Sequence, residues 1–171
     1  MYEFKPKRTN DKARNLVILF FIGSAALLLL SIALDGIPFL WVIQLFAVIL
    51  LAAAVFLVTR YIMRGYIYRI EQTDGGADLT VTEISSGGRR QITVCRISLL
   101  GIKSAEAYGA DRSKLREYRQ KTKKIYDYRV DLAPEKSIAL LSEECGESSV
   151  ILLAFDDRLL EILGKENTTS K

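Results

Sequence analysis

The side chains able to do chemistry are few in this chain, and most of them lack the company that catalysis needs. Glu143 with Glu144 and Asp156 with Asp157 are the paired carboxylates that acid–base or metal chemistry would use. Neighbouring residues of a strand or helix point different ways, and no second acidic cluster accompanies either pair. The chain has no histidine, which removes the commonest general acid–base group and the commonest metal ligand. The two pairs therefore read as a polar loop and a helix cap. Gly75 with Gly76 and Gly87 with Gly88 lack the spacing of a phosphate loop, and no helix start follows them, so they read as turns. Serines are plentiful, but a nucleophile without a base has no means of activation. Cys95 and Cys145 are the only cysteines and have no CxxC partner. They are expected as reduced thiols, one in a strand and one in a loop, with a regulatory disulfide as the alternative. No catalytic, cofactor-binding or metal-binding residue is assigned, and the expectation is a non-enzymatic protein without a cofactor.

One cluster does carry a possible function. Arg112, Lys114, Arg116, Arg119, Lys121, Lys123 and Lys124 fall within residues 112–124, interrupted by Tyr118 and opposed there only by Glu117. Residues 130–171 are acidic on balance, so the net charge of +4 conceals a polarised chain. Next to an anionic leaflet each such cation contributes about 1 kcal/mol, and the attraction fades within a Debye length. Anionic headgroup binding is thus one reading of the run, and a solvated loop is the bland one. A single aromatic among the cations makes no stacking platform, so nucleic acid is not expected as a partner.

The elements that must hold this cluster begin with two uncharged apolar runs, residues 15–34 and 37–59. About 20 predominantly apolar residues suffice for a helix to cross a bilayer core, so both runs are long enough. Neither contains an ionisable group, which argues for an anchor and against a pump or a proton-coupled transporter. Asp35, Gly36, Ile37 and Pro38 leave room for no more than a tight turn, making residues 15–63 an antiparallel hairpin. Lys5, Lys7, Arg8, Lys12 and Arg14 precede the first run, and Arg60, Arg64 and Arg69 follow the second. The positive-inside rule then puts both termini in the cytoplasm, as a multi-pass protein of the cell (inner) membrane. The alternative, a signal peptide cleaved after Ala33, is disfavoured by the length of the first run and by the span that follows at once.

The remaining chain suffices for one small domain, residues 66–164, between a basic N-terminal segment (1–14) and a polar tail (165–171). Period-two alternation predicts strands near 66–71, 79–85, 91–97, 99–107, 125–132, 137–141 and 149–155. Residues 111–124 hold too few apolar groups for a core face and read as an exposed loop or a short solvated helix. Asp156 or Asp157 can cap a last helix whose Leu159, Leu160, Ile162 and Leu163 form an apolar stripe ending at Gly164. The fold class expected is a transmembrane hairpin plus a seven-stranded antiparallel barrel or sandwich with a short capping helix.

The order of these elements over 66–164, the run TVCRISLLGIKSAEAYG at 93–109 and the ending VILLAFDDRLLEIL at 150–163 resemble the bacterial pleckstrin-homology-like domain, especially its hairpin-anchored variants. The resemblance implies a seven-stranded barrel and no catalytic residue. Combined with the anchor, it leads to the expectation of a module for protein–protein interaction or self-association at the cytoplasmic membrane face. Anionic-lipid binding through 112–124 is the second reading, and an enzyme of unknown type is the third.

Overall fold

The computed structural model describes residues 1–9, 11–34, 39–73, 76–85, 88, 90–109, 116–118, 120, 122, 124–144 and 147–169. Its contacts divide the chain into two compact units, one made of residues 10–64 and the other of residues 1–9 together with 65–171.

The first unit is a pair of helices, α1 (Lys12–Ala33) and α2 (Leu40–Leu57), the latter running on through a π-helical turn at Val58–Ile62. Both are long and apolar enough to cross a membrane, with a mean hydropathy of 2.8, and only 17% of each apolar window is buried. The inner helix of a soluble protein would be mostly buried. Here Leu19, Ile22, Leu29, Phe46 and Phe56 all point outward. What the helices do bury is small: Ala13, Val17, Ser24 and Ser31 on α1, with Ala47 and Ala54 beside Leu57 on α2. Ser24 and Ser31, like Ala47 and Ala54, are seven residues apart, the repeat that keeps one face of a helix against a neighbour. Small side chains let the backbones approach, as helices do in lipid, where apolar bulk gives no advantage at a contact. Ser24 Oγ donates 2.9 Å to the Ala47 carbonyl across the pair, and Thr59 Oγ1 donates back to the Val55 and Phe56 carbonyls. The turn expected at residues 35–38 lies outside the described residues.

The second unit holds two four-stranded sheets. One has the order β1 (Tyr2–Phe4), β2 (Arg64–Thr73), β3 (Gly76–Ser85), β4 (Gln91–Ser98). The other contains β5 (Ile102–Gly109), β6 (Lys124–Asp127), β7 (Lys136–Glu144) and β8 (Glu147–Ala154), in the spatial order β5-β7-β8-β6. Helix α3 (Asp157–Thr169) closes the chain. Alternate residues of the strands build one core: Tyr66, Tyr68 and Ile70 of β2, Leu79 and Val81 of β3, Ile138 and Leu140 of β7, and Ile151 and Leu153 of β8. Leu159 and Leu163 of α3 belong to the same core. The opposite face of the second sheet is covered as well, by a smaller cluster of Tyr108, Ala139, Val150 and Leu152 against which Tyr118 and Ile125 pack. A strand buried on both faces needs apolar residues on both, which explains the unbroken run in β8.

Several expectations are corrected. Among the described residues there are eight strands, not seven, because Tyr2–Phe4 pairs antiparallel with β2, Tyr2 facing Ile70 and Phe4 facing Tyr68. Residues 1–14 are therefore no separate basic segment: the first nine join the β unit, and Lys12 and Arg14 belong to α1. The sheets are not wholly antiparallel, since β6 runs parallel to β8. The strand expected at 125–132 ends at Asp127, whose carboxylate accepts the Arg129 amide at 3.1 Å. That side-chain bond two residues ahead competes with the sheet ladder and bends the chain. The strand expected from residue 99 begins at Ile102, after a 3-10 turn at Leu99–Gly101. Helix α3 passes through Gly164 and takes in residues 165–169 of the expected tail. A glycine inside a helix costs only about 1 kcal/mol, and Gly164 does not have the positive φ that would mark a stop.

Candidate functional site

Of the seven cations singled out by sequence, Arg112, Lys114, Arg119, Lys121 and Lys123 lie outside the described residues. Arg116 is exposed in a short helical stretch, and Lys124 is exposed at the start of β6. Lys124 Nζ is 2.7 Å from a Glu147 carboxylate oxygen, across the β6–β8 pair. The hydrogen bond and then the charge of Glu147 raise the lysine above its ordinary value, and the same bond lowers the glutamate. Lys124 is thus engaged within the domain. Tyr118, expected among solvated cations, is half-buried against the second apolar cluster and donates 3.3 Å to Glu106.

One carboxylate of each pair serves structure. Glu143 is paired with Lys103 across β5 and β7. Asp156 Oδ2 accepts the Leu159 amide at 2.9 Å, the expected cap of α3. Cys95 lies in β4, as expected; Cys145 lies outside the described residues.

The structure also assembles two arrangements that sequence reasoning missed. The first is the seat of the N-terminal arm. The Tyr2 hydroxyl donates to Asp156 Oδ2, so the arm and the cap of α3 share one carboxylate. Glu3 pairs with Arg69 at 2.8 Å, and the Phe4 ring lies 6.0 Å from that of Tyr68. The buried Asp131 accepts both the amide of Thr9, at 3.1 Å, and its hydroxyl. Beneath the arm, the fully buried Tyr68 donates 2.8 Å to the Tyr128 carbonyl and accepts the Ala154 amide at 3.1 Å. One phenol on β2 therefore ties the first sheet to the second, and its burial pushes its pKa above the usual tyrosine range. The sequence signal for the arm was the alternation of Tyr2, Glu3 and Phe4, too short to stand out beside the basic residues that follow.

The second arrangement is a groove of about 420 Å³ between β4 and β6. These are the terminal strands of their sheets, and β6 meets the groove with the face it shares with Ser149 and Ile151 of β8. Val94, Cys95 and Ile97 line one side, and Tyr126 and Tyr128 the other. The two tyrosine rings stack with centroids 6.3 Å apart and planes within 3°. Tyr66 meets Tyr128 edge-on at 5.6 Å, which fixes the wall to the core. The pairing register of β3 and β4 shifts after Val81, where Cys95 is opposite Val81 and Thr93 is opposite Thr82, leaving Val94 as a bulge. The Val94 carbonyl takes the Tyr128 hydroxyl at 3.3 Å. Arg96 is held by Asp78 at 2.8 Å and Lys124 by Glu147, so these two cations at the groove are matched.

Fold and site together define a two-sheet β unit with a C-terminal core helix, interrupted after its first strand by two helices able to span a membrane. No protein-family model, curated protein or solved structure matches the chain.

Proposed function

We propose that the protein is a non-enzymatic membrane-anchored module that presents a pleckstrin-homology-like β unit at the cytoplasmic face of the cell membrane for protein–protein interaction. The observation that carries this reading is the insertion of the hairpin between β1 and β2. Because the two strands pair with each other, the chain that leaves at Thr9 and the chain that returns at Gly65 belong to one folded body. Both ends of the intervening segment must then lie on one side of the bilayer, which requires an even number of crossings. Two helices long enough to cross supply that number. The cations flanking both helices favour the cytoplasmic side, independently of the fold. Cleavage after the first helix would remove the arm that engages Asp131, Asp156 and Arg69, which speaks against a signal peptide. The groove supplies a surface for a partner, and the structural engagement of Asp156 and Glu143 supports a role without catalysis.

Single cysteines at Glu3, Trp41 and Thr93, in a chain whose native cysteines are replaced by serine, test this with a membrane-impermeant maleimide. In intact cells only Trp41→Cys labels, and the other two label after lysis. Equal labelling of Glu3→Cys and Trp41→Cys contradicts the topology. Crosslinking in native membranes is expected to give adducts above the monomer mass, and monomer alone would sink the interaction role.

A further inference from the structure

We infer that the groove between β4 and β6 receives an extended, uncharged segment of a partner protein, which adds as a strand to the outer edge of β4. This deepens the interaction reading above and rests on it. Three observations converge. First, β4 ends its sheet and therefore carries outward-facing backbone groups along one edge. Proteins normally guard such an edge with lysine, proline or a covering element, because it templates pairing with another chain. Strand β4 contains no proline and no lysine, and its one cation, Arg96, is held by Asp78.

Second, two exposed large apolar residues of the β unit lie on the strands beside the groove. Ile92 of β4 is 45% exposed and Tyr126 of β6 is 41% exposed, on the two strands that bound the groove. The stacked pair of Tyr126 and Tyr128 forms a flat wall suited to every second side chain of a strand lying beside it. Third, the charges select the occupant. Among the described residues the two cations at the groove, Arg96 and Lys124, are each paired with a carboxylate of the domain and so are not held out for a phosphate or an anionic headgroup. What the groove offers is backbone hydrogen bonding and an apolar wall, and that combination is complementary to a neutral polypeptide alternating apolar and polar residues.

The test uses the full chain in lipid nanodiscs. The probes are acetylated, amidated peptides of about ten residues, alternating valine or isoleucine with threonine or serine, long enough to span a strand. At least one is expected to bind and to slow amide exchange along β4. N-methylation of that peptide should weaken binding by about tenfold or more at alternate positions only, because alternate amides face the edge. Ile92→Lys, at an exposed position that leaves the core intact, should weaken it comparably, and Tyr126→Ala to a smaller degree. Leu100→Lys, at an exposed apolar residue away from the groove, should leave it unchanged.

The inference is overturned if no such peptide binds, or if N-methylation is tolerated at every position. It is also overturned if β4 amides are already protected without peptide in a concentration-dependent way, since a second copy would then fill the edge. Each of these results leaves the maleimide topology and the membrane adducts as they were, so failure here is separable from failure of the anchored-module reading.

Discussion

The hairpin and the β unit are built from the same kinds of apolar residue and dispose of them in opposite ways. In α1 and α2 the large side chains face outward and small ones meet, whereas in the β unit Tyr68, Leu79, Leu140, Ile151 and Leu153 are fully enclosed. The difference is the one that water and lipid, as solvents, would each favour. Water drives large apolar groups together, about 25 cal/mol for each Å² buried, whereas a lipid tail is as good a neighbour as another leucine. Contacts in the hairpin are consequently close backbone approaches, with the Ser24–Ala47 hydrogen bond across the pair, and contacts in the β unit are interlocked side chains. Substitutions should therefore have different consequences in the two units.

The largest contrast is expected for leucine truncation. Leu153→Ala removes a fully buried side chain and should cost the β unit about 2–5 kcal/mol, read as a lowered urea midpoint. Leu29→Ala, at a residue 68% exposed, should leave helix–helix association in detergent unchanged. An equal effect at both positions would break the distinction. Next comes Tyr68→Phe, which keeps the ring and strands the Tyr128 carbonyl and the Ala154 amide; a loss of about 1–3 kcal/mol is expected by chemical denaturation. In the hairpin the corresponding polar deletion, Ser24→Ala, removes the bond to Ala47 and should cost only about 0.6 kcal/mol of helix association.

The smallest effect concerns pH. Lys124 holds the folded Glu147 below its ordinary carboxylate value of 4.5, so the pair stabilises fully above that value and loses its contribution as pH falls through the lower folded one. Both side chains are solvent-exposed, so the gain is slight. Glu147→Gln should lower the melting temperature measurably at neutral pH and not at all in strong acid, and a difference that persists in acid would refute the pairing.

The spans, most of the strands and the cap of α3 were legible because each is local. Two unbroken apolar runs, period-two alternation in β2 and β3, and an aspartate before an apolar stripe need no knowledge of what lies across the fold. The features that escaped are those made by distant chain segments. Asp131 gives no sequence sign that it waits for Thr9, nor Asp156 that it serves Tyr2 as well as Leu159. The parallel β6–β8 pair escaped for the same reason, since alternation reveals a strand and not its neighbour. The groove is made by strands distant in the chain and has no motif. The cations of residues 112–124 drew attention because charge runs are conspicuous, yet the one at the groove, Lys124, is matched by Glu147.

The central claim is that one folded unit takes in the chain on both sides of the hairpin, through the pairing of β1 with β2. A cysteine pair at Glu3 and Arg69, which face each other directly across that pairing, tests it in native membranes with Cys95 and Cys145 replaced by serine. Directly opposed strand residues have Cα atoms about 4.5–5.5 Å apart, within the range a disulfide can bridge. Mild oxidation should give a fast, quantitative intramolecular disulfide in the full-length chain and none when the partner cysteine is moved to Thr80. Failure of the Glu3–Arg69 pair to link, or linkage only between separate chains, would contradict the insertion and with it the even-span topology.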